Sequence, residues 1–229
     1  MWDERSGVAD TWKDWLWDGA TGIYDAILAH PFLAGLTDGS LDPDRFTFFV
    51  AQDAAYLRDY SRALAVVAAK APSHDDTALL AGHAADTADV ELAMHETLLP
   101  MLEIDEETFG AVAVSPTTRA YTTHLLAVAH GGTFAEGLAA VLPCYWIYRR
   151  VGAELQAKGS PNKRYQMWID TYGGDEFGAA VDEVLALADR VGPQLAGSEA
   201  WRTREHFIGT ARYEWMFWDA AWRQETWPV

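Results

Sequence analysis

The chain is short of several things, and each shortage excludes something. Among its 229 residues there is one cysteine, Cys144, so no internal disulfide forms and a reducing cytoplasm is the compartment that fits. Long apolar runs are missing: the longest, Gly137 to Tyr148, has 12 residues, whereas a membrane-spanning helix needs about 20. The opening stretch "MWDERSGVADTWKDW" is acidic where a secretion signal has a basic start and an apolar centre, so a soluble protein is expected. Positive charge is in the minority. Seventeen Lys and Arg stand against 34 Asp and Glu, a net charge of -17, which disfavours nucleic acid and membrane surfaces as partners. Only 4 of the bases are Lys and 20 of the acids are Asp, a balance that suits solubility in concentrated salt and raises the expectation of a halophilic surface. Alternating strand patterns, internal repeats and Gly/Ser-rich linkers are absent as well, so a single domain over 1–229 is the simplest organisation.

What is present is helical spacing. Apolar residues recur every three or four positions, as in Trp12, Trp15, Leu16, Ile23, Tyr24, Ile27 and Leu28, which predicts an all-α bundle. Helices are expected at about 10–29, 43–70, 74–100, 105–111, 116–130, 133–158, 162–191 with a break near Gly173, and 198–223. Capping residues or first-turn prolines mark several starts: Asp42 with Pro43, Ser73, Ser115 with Pro116, Thr133, and Ser160 with Pro161. The Pro- and Gly-bearing stretch "HPFLAGLTDGSLDPDRF" at 30–46 reads as a turn region.

Three reactive side chains sit on otherwise apolar helical faces. Asp53 shares a face with Tyr56 and Tyr60, at offsets of three and seven, so its carboxyl is expected to point inward, either bonded to a neighbour or free to hold a polar ligand. Glu214 lies on a stripe with Phe207, Ala211, Phe217, Trp218 and Ala221. Apolar surroundings raise a carboxyl's pKa and suit it to proton transfer near neutrality, unless Arg212 or Arg149 pairs with it. Cys144 follows Pro143, which cannot donate back to Ala139, so the helix is expected to bend there and open space beside the thiol. Tyr148 is one turn on. A lone buried Cys is also a good packing residue, and both readings stand at this level.

Metal and haem readings are weaker. His83, Glu91 and His95 spread over about 120° of a helix and cannot close a site alone, and no Glu-x-x-His pair of a di-iron centre occurs. His30, before Pro31, is in a position where a haem ligand or an ordinary loop histidine would serve.

Seven stretches together carry a resemblance. They are "HPFLAGLTDGSL" at 30–41, "FVAQDAAYLRDYSRALAVVAAKA" at 49–71, "ELAMHETLL" at 91–99, "SPTTRAYTTHLLAVA" at 115–129, "FAEGLAAVLPCYWIYRRVGAEL" at 134–155, "YQMWIDTYGGDEF" at 165–177 and "FIGTARYEWMFWDAAW" at 207–222. In order and over about residues 12–227, the chain resembles the TenA family, also called thiaminase II. The resemblance implies a haem-oxygenase-like helical bundle without haem, a homotetramer, and hydrolysis of an aminopyrimidine or of thiamin with no metal or other cofactor. It makes Cys144 the nucleophile and Glu214 its acid/base partner, with Asp53 on the pyrimidine's ring nitrogen and amine. Tyr121 and Tyr148 would orient or activate the thiol, and Tyr56, Tyr172 and Phe217 would contact the ring. The chain departs from common family usage at Ala54, Ala55 and Trp222, which bears on the outer shape of the pocket. The alternatives are a pyrimidine-binding regulator without turnover and a metal-dependent oxidase.

Overall fold

The structure is a computed structural model that describes residues 11–93, 99–102 and 106–229. Twelve helices carry the described chain: α1 (Trp12–Asp18), α2 (Thr21–Leu28), α3 (Pro31–Asp38), α4 (Pro43–Ala69), α5 (His74–Ala93), α6 (Leu99–Leu102), α7 (Glu106–Gly110), α8 (Pro116–Gly131), α9 (Phe134–Lys158), α10 (Lys163–Gly173), α11 (Asp175–Val191) and α12 (Gly197–Arg223). No strand occurs among the described residues. Helix α9 is the axis of the bundle, packed by α4, α8, α10, α11 and α12. Its Leu138, Val141, Leu142, Ile147 and Val151 are fully enclosed, each such side chain contributing about 1.5–3 kcal/mol of apolar burial.

Local chemistry sets most of the boundaries. Asp42 accepts from the Asp44 N–H at 2.8 Å, Ser115 from Thr118 N–H at 3.1 Å, and Thr133 with Glu136 closes a reciprocal capping box. The cap of α10 is Asn162, which accepts from the Arg164 N–H at 3.0 Å. Ser160 was the expected cap, but its hydroxyl instead accepts from the Asn162 N–H at 3.2 Å, inside the preceding turn. Helix α9 runs on through Pro143 from Phe134 to Lys158, so the proline neither ends nor splits it.

Two expectations change. The first long helix is two, because α1 ends at Asp18 and a turn at Gly19 and Ala20 reorients the chain into α2. Residues 30–46, expected as a turn region, contain helix α3. Pro31 occupies its first turn, His30 caps it by accepting the Phe32 N–H at 3.2 Å, and Gly39 at φ 78° ends it. The proline and glycine that suggested a loop are its start and stop signals, and Phe32, Leu33 and Leu36 hold it in the core.

Candidate active site

Five helices bring the reactive side chains together. From α4 come Asp53, Tyr56 and Tyr60, which share one face by their spacing. Helix α9 supplies Cys144, Tyr145 and Tyr148; α10 supplies Tyr172; α8 supplies Tyr121; and α12 supplies Glu214 and Phe217. Side-chain bonds fix the register between them. Gln52 donates to the Ala113 carbonyl at 3.0 Å and accepts the Ser115 N–H at 2.9 Å, which ties α4 to the start of α8. The Tyr60 hydroxyl donates to the Val141 carbonyl at 3.0 Å, three residues before the cysteine. Helix α10 lies so close to α9 at Gly152 that a Cβ there would be 2.4 Å from the Tyr172 carbonyl carbon. A glycine at 152 is therefore what allows Tyr172 to reach the site.

A cavity of about 160 Å³ opens between these helices, lined by Asp53, Tyr56, Tyr60, Cys144, Tyr148 and Tyr172, with His83 and Tyr145 toward α5. Cys144 is only partly buried, and it is one of the residues lining this cavity. Tyr148 and Tyr172 stand 4.9 Å apart between ring centres, forming an aromatic wall backed by Trp168 and Trp218. Phe217 packs edge-on to Phe49 and against Tyr56 behind the lining.

Two buried acids flank the thiol. Asp53 is bonded to Tyr172, and burial pushes its carboxyl up to about 7 against that bond. Glu214 is 1% exposed. Burial raises it to about 8, opposed by the bond from Tyr121 and reinforced by the charge of Asp53. No arginine neutralises it in the way the sequence allowed: Arg149 pairs with Asp182 and Arg212 is exposed. The Tyr121 hydroxyl donates to Glu214 Oε1 at 2.5 Å, and Tyr56 donates to the Tyr121 oxygen at 3.1 Å. The Cys144 thiol is pushed far above its ordinary value, first by burial and then by the Glu214 charge, while bonds with Tyr56 and Tyr60 act the other way.

All eight residues singled out in the sequence thus lie in or against one site. Tyr56 and Tyr60 bond the thiol; Tyr121 sits one step away on Glu214, and Tyr148 lines the cavity wall. Tyr60, Tyr145 and His83 are the residues the sequence reading left out. Tyr60 was visible on the Asp53 face, and Tyr145 adjoins the cysteine. His83 belongs to this cavity, bonded to Tyr145 at 3.1 Å, and among the described residues no group of three or more His, Cys, Asp or Glu could hold a metal ion. His95, its partner in the metal reading, lies outside the described residues. His30, the residue of the haem reading, caps α3 and packs edge-on against Trp215 and Trp222.

Comparison with known proteins agrees with this architecture. The pattern of the TENA/THI-4/PQQC family matches residues 17–224. A curated relative from Bacillus subtilis (strain 168), named aminopyrimidine aminohydrolase, is 37% identical over 225 residues, covering 98% of this chain and 91% of the relative. A solved structure described as a TenA homologue protein from P. horikoshii OT3 superimposes with a TM-score of 0.85 at 32% identity, covering 93% of this chain and 99% of that one. The bundle is also shared with a Shewanella denitrificans domain described as having a haem oxygenase-like fold, at TM-score 0.73 and 15% identity over 91% of each chain. By the reach of the pattern and the identity to a near full-length relative, the chain belongs to the TENA/THI-4/PQQC family.

Proposed function

We propose that the protein hydrolyses 4-amino-5-(aminomethyl)-2-methylpyrimidine to the 5-hydroxymethyl compound, and thiamin to the same pyrimidine plus its thiazole, in salvage of thiamin. The observation that carries this reading is a thiol on the wall of an aromatic cavity, with the raised carboxyl of Asp53 in the same lining and a second buried carboxyl, Glu214, whose charge acts on the thiol. Cavity size supports it: about 160 Å³ suits one six-membered ring, since an apolar cavity of about 150 Å³ holds benzene. The name of the Bacillus subtilis relative supports the substrate class.

The residues act as follows. Asp53, with a pKa near neutrality, both donates and accepts, matching a ring nitrogen beside an exocyclic amine. Tyr56 donates to Tyr121 and Tyr121 to Glu214, so the thiol is left to donate into the Tyr56 oxygen. A concerted shift along this chain moves the thiol proton to the Glu214 carboxylate and creates the thiolate. Sulfur attacks an electron-deficient ring carbon. The displaced electron pair then expels the amine or thiazole from the exocyclic methylene, with Glu214 returning a proton where the leaving group needs one. Water adds to the methylene, Glu214 takes its proton, and the thiolate leaves as the ring regains aromaticity. Thiazole departs from a cation as a neutral group and needs no acid, so with thiamin the thiol proton leaves the site instead of staying on Glu214, which remains a carboxylate able to take the proton from water.

The test is to incubate the protein with each substrate beside Cys144→Ser and follow the hydroxymethyl product. Loss of at least 100-fold in kcat is expected, a typical scale for an essential proton or nucleophile step; full activity in the serine variant would overturn the reading. The same reading includes a cytoplasmic homotetramer. No helix among the described residues is long and apolar enough to cross a membrane, and the exposed Trp201, Met216 and Trp227 supply apolar surface for subunit contact.

A further inference from the structure

A second line of polar side chains leads away from the thiol, and the reaction above does not use it. Tyr60 lines the cavity beside Cys144 and Tyr145, its ring centre 6.0 Å from that of Tyr145. Tyr145 lies 3.1 Å from His83 Nδ1, and His83 Nε2 lies 3.4 Å from Glu183 Oε2. The side chains change from enclosed to wet along this line: Tyr60 is 3% exposed, whereas the Glu183 side chain is 60% exposed. The other branch, through Tyr56 and Tyr121, ends at buried Glu214.

We propose that Tyr60, Tyr145 and His83 form a proton path between the Cys144 thiol and solvent, with His83 as the group that exchanges protons with water at the edge of α5 and α11. The proposal rests on the functional reading above, and stoichiometry gives the path a task. Cationic thiamin plus water yields an alcohol, a neutral thiazole and one proton. With thiamin that proton is the one on the thiol: it leaves on the Tyr60 side before sulfur attacks, which keeps Glu214 a carboxylate able to take the proton from water.

Each link has the right chemistry. The Glu183 carboxylate accepts from Nε2–H and thereby selects the tautomer whose Nδ1 is an acceptor toward Tyr145. Each tyrosine hydroxyl accepts one proton and donates one, so a proton entering at sulfur emerges at Nδ1 with no net change in either phenol. Tyr60 donates to the Val141 carbonyl at 3.0 Å, with the sulfur and the Tyr145 hydroxyl beside it in the same cavity as alternative acceptors. Rotation about its C–O bond switches between them. The groups facing His83 are Tyr145 from α9, Glu183 from α11, and Asp86 from its own helix, which lines the same cavity.

The experiment measures kcat and KM for thiamin and for the aminomethylpyrimidine in Tyr145→Phe, His83→Gln and His83→Ala, with Cys144→Ser in parallel. Tyr145→Phe removes one oxygen and keeps the ring, so the fold is retained. The expected result is a fall in kcat for thiamin of about 10- to 100-fold, within the range of a lost proton-transfer group, with KM unchanged. Added imidazole should restore His83→Ala in proportion to its concentration, and the solvent deuterium isotope effect on kcat should rise in Tyr145→Phe. Unchanged kcat in the variants, a change in KM alone, or loss without imidazole rescue in a folded His83→Ala would overturn the path. An inactive Cys144→Ser beside fully active His83 and Tyr145 variants removes the path only; an active Cys144→Ser removes the functional reading beneath it.

Discussion

Replacing Glu214 by Gln should stabilise the protein while abolishing its activity, and the stabilisation should grow with pH. The substitution keeps shape, and the amide oxygen still accepts from Tyr121. What it removes is the need to ionise a carboxyl that the fold holds at about 8 against an ordinary value of 4.5. The sign follows from proton binding: between those values the unfolded chain has released this proton and the native state keeps it, so the native state binds more protons and its stability falls as pH rises. Below the ordinary value both states hold the proton and the carboxyl costs nothing. At about 1.4 kcal/mol per pKa unit, the wild type should trail the Gln variant by roughly 1 kcal/mol at pH 5, 3 at pH 7 and nearly 5 at pH 9. An imperfectly bonded amide subtracts about 1–2 kcal/mol at every pH and leaves the slope intact. The assay is urea unfolding of both proteins at the three pH values. Two parallel profiles, or a gap that narrows with rising pH, would refute the account of Glu214 as a buried, proton-holding acid.

Other predictions test neighbouring parts of the argument. Gly152→Ala places a methyl against the Tyr172 backbone, 2.4 Å from its carbonyl carbon. It should cost about 1–3 kcal/mol in stability, as overpacking does, and raise KM more than it lowers kcat, because α10 and its tyrosine are displaced from the cavity. In molar KCl the melting temperature should rise by several degrees, because screening relieves repulsion among 34 acidic residues; a salt-independent melt would end the idea of a halophilic surface. Light scattering should give four times the chain mass at micromolar concentration, and a monomer at that concentration would remove the tetramer.

Much of the site was legible because a helical face is readable from spacing alone. Asp53 and Glu214 stand out as acids on apolar stripes, and both are buried as that pattern requires. Spacing does not say which residue meets which across two helices. Tyr60 was visibly on the Asp53 face, yet its contact with the sulfur depends on how α4 crosses α9, which the Tyr60–Val141 bond helps to fix. His83 was weighed as a metal ligand beside Glu91 and His95 of its own helix; its side-chain hydrogen-bond partners come from α9 and α11. Helix α3 was missed for a different reason. Its stabilisation lies in Phe32, Leu33 and Leu36 packing into the core, whereas eight residues between a proline and a glycine offer little intrinsic helicity.

The electrostatics of the site favour one order of events. Asp53, Glu214 and Cys144 are each raised by burial, and Glu214 and Cys144 further by the negative charge of neighbouring acids. Their protons therefore come off as a set, and removing one makes removing the next harder. These groups consequently favour a thiol over a thiolate, which keeps the cysteine poorly reactive toward adventitious electrophiles. A ligand carrying positive charge, whether an ammonium or a thiazolium, changes the balance. Inside the cavity it attracts every anion at once, so it lowers the thiol and both carboxyls together. In the proposed reaction, deprotonation of Cys144 then follows from binding a cationic pyrimidine, and moving its proton to Glu214 leaves the total charge of the protein groups unchanged. A neutral pyrimidine lacking the amine would fill the same space, and with that cation missing it would leave the sulfur protonated.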